Sequence, residues 1–223
     1  MSQLYRDQPW QPPRPESLEI PGPAGPLEAI VEDPGEPPPA LAVICHPHPL
    51  YQGTMRNKVV HTLARAVNRL GVPAVRFNFR GVGASGGAWD EGRGETADTL
   101  AVIEWARARW PGAPLWLAGF SFGAYVALHA AAVARPAALV TVAPPVGRLP
   151  VADTPEPDGP WLIVQGAADE LLDHAAVIAW ARARPAAPQV ALMPATSHFF
   201  HGRLAELQQQ VQDFLAALEE QKP

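Results

Sequence analysis

Two stretches of this chain place a serine between glycines two residues to either side. They are Gly83-Ala84-Ser85-Gly86-Gly87 and Gly119-Phe120-Ser121-Phe122-Gly123. A serine held this way on a sharp turn can present its hydroxyl to a carbonyl carbon, the first step of acyl transfer. With five serines and 18 glycines in 223 residues, chance alone gives on the order of 0.03 such matches per chain. The first stretch carries a further pattern. Gly81, Gly83 and Gly86 spell G-x-G-x-x-G, the turn that brings a dinucleotide pyrophosphate to a helix N-terminus.

Context separates these readings. A nucleophilic serine needs a strand before it, one tight turn, and a helix starting directly after it, so that the helix N-terminus faces the developing oxyanion. Ser121 has this setting, with LWLAGF before it and AYVALHAAAVA two residues beyond it. Ser85 follows a strand, but the segment after it, Trp89 to Gly94, has two glycines and no helical period. Ser121 is therefore the expected nucleophile. The dinucleotide pattern fails on the same ground, and the acidic residue at nearly the right distance, Glu104, falls within a helix. The simplest reading of 81–87 is a flexible loop, with Gly81, Gly83, Gly86 and Gly87 giving backbone freedom to a mobile wall of the site.

A serine hydroxyl needs a base, and the base needs a carboxylate to fix its tautomer. With this strand-to-helix elbow the partners follow in the order acid, then histidine. Asp169 stands in the loop after a strand ending at Gln165. Its competing role is the N-cap of the next helix, whose first turn would hold Glu170 and Asp173. His198 is the first histidine beyond the strand at 190–193, with His201 as its rival. The other histidines lie within helices (His61, His129, His174) or precede the serine (His46, His48). Two backbone N–H groups must receive the oxyanion. Phe122 supplies one, and the loop His46-Pro47-His48-Pro49-Leu50 supplies the other. Prolines have no N–H, which leaves His48 first and Leu50 second. His46 and His48 also suggest metal, but no Asp, Glu or Cys nearby completes a zinc set, so neither metal nor cofactor is expected. Leu50, Tyr51, Gly83 and Phe120 are expected to line the substrate space.

These residues need a scaffold. Residues 1–15 read as a loose arm, and 17–20 with 27–31 as a hairpin. Strands are expected at 40–45, 73–79, 115–120, 137–143, 161–165 and 190–193. Helices are expected from Thr54, as the cap, to about Leu70, at 95–110, 121–134 and 171–183, and from Leu204 to Leu218. Such alternation specifies an α/β fold with a mainly parallel sheet and its ligand site at the carboxyl ends of the strands. The length suits one domain, 1–223.

Composition excludes other classes. The net charge of −5, without a basic run, argues against nucleic acid. No stretch approaches the roughly 18 apolar residues of a membrane span, and residues 1–11 lack a signal-peptide core. The single cysteine, Cys45, lies in an apolar run and reads as a buried hydrophobe. A cytoplasmic location is expected.

Four segments taken together resemble a known family: HPHPLYQGTMRNKVV at 46–60, RFNFRGVGASGG at 76–87, GFSFG at 119–123 and SHFFHGR at 197–203. They run in family order and, with the strand pattern, cover residues 17–218. The chain is similar to the α/β-hydrolases, and more narrowly to small bacterial predicted hydrolases or esterases without a lid. The resemblance implies a mainly parallel central sheet with an N-terminal antiparallel hairpin, helices on both faces and no cap domain. It also implies a triad of Ser121, Asp169 and His198, with Asp169 in a G-x-x-D loop that starts at Gly166, and 76–87 as the loop after the fourth strand. Pro47 departs from the pattern, since a glycine usually follows the loop histidine.

Lidded relatives insert helices between the sixth and seventh strands. Here residues 146–160 hold four prolines and show no helical stripe, so an open site is expected. The function expected is a Ser-His-Asp hydrolase forming an acyl-enzyme, acting on small short-chain carboxylic esters. Thioesters, amides or lactones would use the same machinery. The alternatives are a non-catalytic binding protein on the same fold, against which an intact triad argues, and a nicotinamide oxidoreductase using 81–86.

Overall fold

The computed structural model describes residues 10–35 and 37–220. The alternation resolves into eight strands and five helices: β1 (Pro15–Gly22), β2 (Gly25–Glu32), β3 (Leu41–Cys45), α1 (Lys58–Asn68), β4 (Ala74–Phe77), α2 (Arg93–Arg109), β5 (Leu115–Phe120), α3 (Phe122–Ala134), β6 (Ala138–Val142), β7 (Trp161–Gly166), α4 (His174–Arg182), β8 (Gln189–Met193) and α5 (Leu204–Glu220). One sheet holds all eight strands in the order β1-β2-β4-β3-β5-β6-β7-β8. β1 pairs antiparallel with β2, and β2 with β4. The pairs from β4 to β8 are parallel. This is the α/β-hydrolase arrangement expected from the sequence, with no cap domain among the described residues.

Every residue of β3, β5, β6 and β7 is buried, as parallel strands covered on both faces must be. The edge strands β1 and β8 are largely exposed or half-buried. Two apolar clusters occupy the two faces. Val102, Ile103 and Ala106 of α2, Val126 and Ala130 of α3, and Val177 of α4 belong to one. Val60, Leu63 and Val67 of α1 join Leu207, Val211 and Phe214 of α5 in the other.

Several element boundaries differ from expectation, each for a local reason. α1 starts at Lys58, because the Asn57 carboxamide caps Val59 N–H at 2.9 Å. Thr54 Oγ1 accepts Arg56 N–H in the preceding turn instead. α4 starts three residues late, because Asp169 Oδ1 takes the N–H groups of Leu171 and Leu172, and Asp173 caps Ala175. Of the expected loose arm, residues 1–9 lie outside the described residues. Pro15 already belongs to β1, and the Trp10 ring packs against the Arg65 and Arg69 guanidiniums at 5.5 and 4.5 Å. The link at 146–160 contains no helix beyond a three-residue 3-10 turn, Val151–Asp153. Arg184 braces it through the carbonyls of Val151 and Thr154 and the Glu156 carboxylate.

Residues 81–87 do not wall the site. Ser85 is buried, donating to the Asn78 carbonyl at 2.7 Å and accepting Glu28 N–H at 3.0 Å. Gly86 N–H reaches the Pro26 carbonyl at 2.8 Å. A Cβ on Gly86 would stand 3.0 Å from Gly25 Cα, so the glycine permits backbone contact with the β1–β2 turn. Gly83 lies against the Glu28 and Asn78 side chains. The glycine-rich loop splices the antiparallel hairpin onto the end of β4.

β4 stops at Phe77, two residues early, and a buried histidine explains the next turn. His46 Nε2 accepts the Phe79 N–H at 3.0 Å, and its Nδ1–H donates to the Pro47 carbonyl at 2.6 Å. With both ring nitrogens engaged, His46 offers no lone pair to a metal. Burial drives its pKa down to about 3, with the Pro47 bond opposing and His48 assisting. The unfolded chain therefore binds a proton that the folded chain refuses. That contribution is intact above pH 6.5 and is lost progressively as pH falls from 6.5 toward 3. At pH 5 the loss amounts to about 2 kcal/mol. Urea unfolding at pH 7.5 and pH 5.0 should show a stability loss in the native chain that is smaller by about that amount in His46→Gln. Burial also lowers the pKa values of His48, His61 and His129, so the difference between the two chains isolates His46. An equal loss in both would exclude it as the titrating group.

Candidate active site

Strand β5 ends at Phe120 and α3 begins at Phe122, so Ser121 alone makes the turn. Its backbone takes φ 54° and ψ −118°, a region that costs an L-residue of order 1–3 kcal/mol. The surroundings impose it. Ser121 N–H donates to the Val142 carbonyl of β6 at 2.8 Å, and the Ser121 carbonyl accepts Ala124 N–H at 2.9 Å. A Cβ on Gly119 would collide with the Gly123 carbonyl, and one on Gly123 with the carbonyls of Cys45 and His46. Both glycines are thus needed for α3 to start against the ends of β3 and β5.

The loops after β7 and β8 bring the other two groups. Ala167 and Ala168 donate their N–H groups to the carbonyls of Met193 and Thr196, which locks the loops together. His198 Nδ1 then lies 2.8 Å from Asp169 Oδ2, and His198 Nε2 lies 3.2 Å from Ser121 Oγ. The His198 and Asp169 side chains are 3% and 0% exposed. The three residues singled out by spacing alone form one hydrogen-bonded row. His201 is exposed, outside it.

Asp169 is a carboxylate with four donors. Oδ2 accepts from His198 and from Gln165 Nε2 at 3.0 Å, and Oδ1 accepts the N–H groups of Leu171 and Leu172 at 2.9 and 2.8 Å. Burial alone would raise its pKa. The His198 bond and charge, helped by the two backbone donors, outweigh burial and hold it below the usual carboxylate range. Glu170, expected in a helix turn, instead accepts the backbone N–H of His198 at 3.0 Å. The histidine is thus held by its ring and by its main chain. Spacing could not reveal this, because the bond spans 28 residues and two loops.

Phe122 opens α3, so its N–H has no partner four residues back and points out of the helix end. In the facing loop Leu50 N–H donates to His48 Nδ1 at 3.2 Å, and Tyr51 and Gly53 N–H donate to the His48 carbonyl. Leu50 N–H, the second of the two expected donors, is thus already engaged. The His48 ring lies 4.8 Å from Phe122 and 4.9 Å from Tyr51. Burial keeps its pKa low, with Glu95 opposing. With Nδ1 accepting, the proton of the neutral ring is on Nε2.

A cleft of about 570 Å³ opens over Ser121 and His198, lined also by His48, Tyr51, Phe122, Pro145, Arg148, Leu149, Leu171, Leu172 and Phe199. Of the expected lining residues, Tyr51 is present. Leu50 projects into solvent, 64% exposed, and Phe120 is fully buried with its ring 5.2 Å from that of His198. Gly83 belongs to the hairpin splice. The lining that spacing missed comes from the loops after β6, β7 and β8. The rule that sites sit at the carboxyl ends of parallel strands could have located those loops, though not their side chains.

The α/β-hydrolase fold family model matches residues 50–157. A lidless α/β serine hydrolase from Xanthomonas campestris is 46% identical over 94% of this chain and 97% of its own, with a TM-score of 0.87. An α/β serine hydrolase homologue from Coxiella burnetii is 45% identical over 89% of this chain and 96% of its own, with a TM-score of 0.85. An uncharacterized protein of Rickettsia prowazekii (strain Madrid E) is 41% identical over 109 residues, and this match spans about half of each chain (48% and 46%).

The backbone at Ser121 supplies a stability test. Glycine adopts this conformation without strain. Ser121→Gly should raise the melting temperature by about 2–12 °C, at about 2–4 °C per kcal/mol for a chain of this size. Ser121→Ala keeps the strain and should show no gain. A Ser121→Gly melting point at or below that of the native chain would mean that the turn is unstrained.

Proposed function

This chain belongs to the α/β-hydrolase superfamily, and on that premise we propose that it is a serine hydrolase working through Ser121, His198 and Asp169 on small, short-chain carboxylic esters. The observation that carries the reading is the row of two bonds from Asp169 through His198 to Ser121, at 2.8 and 3.2 Å. Ser121 Oγ attacks the ester carbonyl carbon while its proton passes to His198 Nε2. Asp169, held ionised, fixes the proton on Nδ1 and stabilises the imidazolium. The negative carbonyl oxygen is received by the N–H groups of Phe122 and His48, reinforced by the α3 N-terminus. Collapse breaks the bond to the alkoxy group, which leaves with the proton from His198. Water then attacks the acyl-enzyme, giving its proton to His198, and Ser121 is released with the carboxylic acid product.

The strained turn supports this over a binding-only role. A scaffold gains nothing from a serine at φ 54°, whereas a nucleophile gains exposure and alignment. The open cleft and the absence of a helical cap favour small substrates. Among the described residues no helix is long and apolar enough to cross a membrane. We place the enzyme in the cytoplasm as part of the same proposal, with a small ester-like molecule as its partner. Its one cysteine, Cys45, is buried, and burial pushes the thiol pKa up to about 12 despite the Thr99 hydrogen bond.

A fluorophosphonate probe should label the native chain and Ser85→Ala, and fail on Ser121→Ala. Asp169→Asn should lower kcat by roughly 10³–10⁴-fold. p-Nitrophenyl acetate and butyrate should be cleaved faster than the palmitate, with no jump at the micelle threshold. Undiminished labelling of Ser121→Ala would overturn the assignment of the nucleophile, and preferential turnover of palmitate the assignment of substrate size.

A further inference from the structure

Apart from the reacting groups, Tyr51 and one cation, the cleft lining is apolar. Arg148, in the loop after β6, is the single permanently charged side chain lining it, and no carboxylate shares that lining. The two acids of the adjoining loop after β7 make other bonds. Asp169 lies behind His198 with both oxygens engaged, and Glu170 holds His198 N–H.

Arg148 differs from several other arginines of the chain in having no carboxylate partner. Arg76, Arg80 and Arg184 pair with Glu32, Asp98 and Glu156, whereas Arg148 has no ion pair among the described residues. Its Nε and Nη2 both donate to one acceptor, the Leu171 carbonyl, at 3.3 and 3.2 Å. That bond crosses from the β6 loop to the β7 loop and orients the guanidinium at the cleft mouth. Nη1 and the second Nη2 proton find no acceptor among the described residues. A guanidinium presents donors in a rigid fork that fits a carboxylate. In a chain of net charge −5, a lone unpaired cation beside an apolar cleft draws anions to that point.

We propose that Arg148 is a specificity-determining residue and that the preferred substrates are esters carrying a carboxylate away from the scissile bond. This rests on the serine-hydrolase reading of the same cleft. One guanidinium suits one carboxylate. A phosphate dianion would bring more acceptors than this apolar lining can satisfy. The carboxylate reaches Arg148 from the acyl side or from the alcohol side, and the two cases are separable.

The experiment compares matched esters. p-Nitrophenyl butyrate against p-nitrophenyl hemisuccinate probes the acyl side. Phenyl butyrate against 4-butyryloxybenzoate probes the alcohol side. For each pair the ratio of kcat/KM, anionic over neutral, is taken in the native chain and in Arg148→Gln, so that intrinsic ester reactivity cancels. The ratio should fall about tenfold on one side, mainly through KM, for a charge-assisted bond at a partly solvated site. Arg148→Lys should keep part of the preference, and 1 M salt should weaken it. Unchanged ratios on both sides, with the neutral esters still cleaved, would overturn this inference and leave the hydrolase reading intact. Binding of the same esters to Ser121→Ala, followed by calorimetry, gives a second readout independent of turnover. Tighter binding of an anionic ester that disappears in Ser121→Ala/Arg148→Gln supports Arg148 even if no ester were hydrolysed. Equal binding of anionic and neutral esters counts against it.

Discussion

The structure depends on one close approach, the first turn of α3 against the ends of β3 and β5. Gly123 has no side chain because the carbonyls of Cys45 and His46 occupy that space, and Gly119 has none because the Gly123 carbonyl does. Ser121 is left to absorb the change of direction at φ 54°. The same contact sets the open N-terminus of α3 beside the loop that carries His48. The sharp turn at Ser121, the open N-terminus of α3 and the strain thus share one steric cause, and the apolar core on both faces of the sheet keeps that cause from relaxing.

Electrostatics builds on this frame by giving each ionisable group a different surrounding. His46 is sealed between the Pro47 carbonyl and the Phe79 N–H and is held neutral. His48 is half-buried, with one nitrogen bound to Leu50 and the other carrying the proton. His198 sits on a carboxylate that burial would neutralise if its own donors did not outweigh that effect. Three imidazoles are thereby set apart by what their nitrogens touch: His46 a backbone N–H and a carbonyl, His48 a backbone N–H, and His198 a carboxylate and a serine hydroxyl.

The elements were legible where periodicity and punctuation are strong. The central strands are continuous apolar runs because they are buried on both sides, and each run fell within a residue or two of its observed place. Boundaries shifted where a side chain captured backbone groups first, as Asn57 did before α1 and Asp169 before α4. The loop at 81–87 was misplaced for a different reason. Its glycine density reads equally as freedom or as close approach, and only the position of the β1–β2 turn shows that it is the latter.

By itself the sequence determined the strand–helix alternation, the elbow around Ser121 and the order of the serine, acid and histidine loops. Each of these is written in local spacing, where apolar period, glycine and turn chemistry act within a few residues. Only the tertiary structure decided that Glu170 holds the His198 main chain, that Phe120 lies beneath the site, and that Arg148 lines the cleft without a carboxylate partner. Those outcomes depend on which loops meet at the carboxyl edge of the sheet. Contacts spanning 20 to 80 residues are set by strand order and register, which no local pattern encodes.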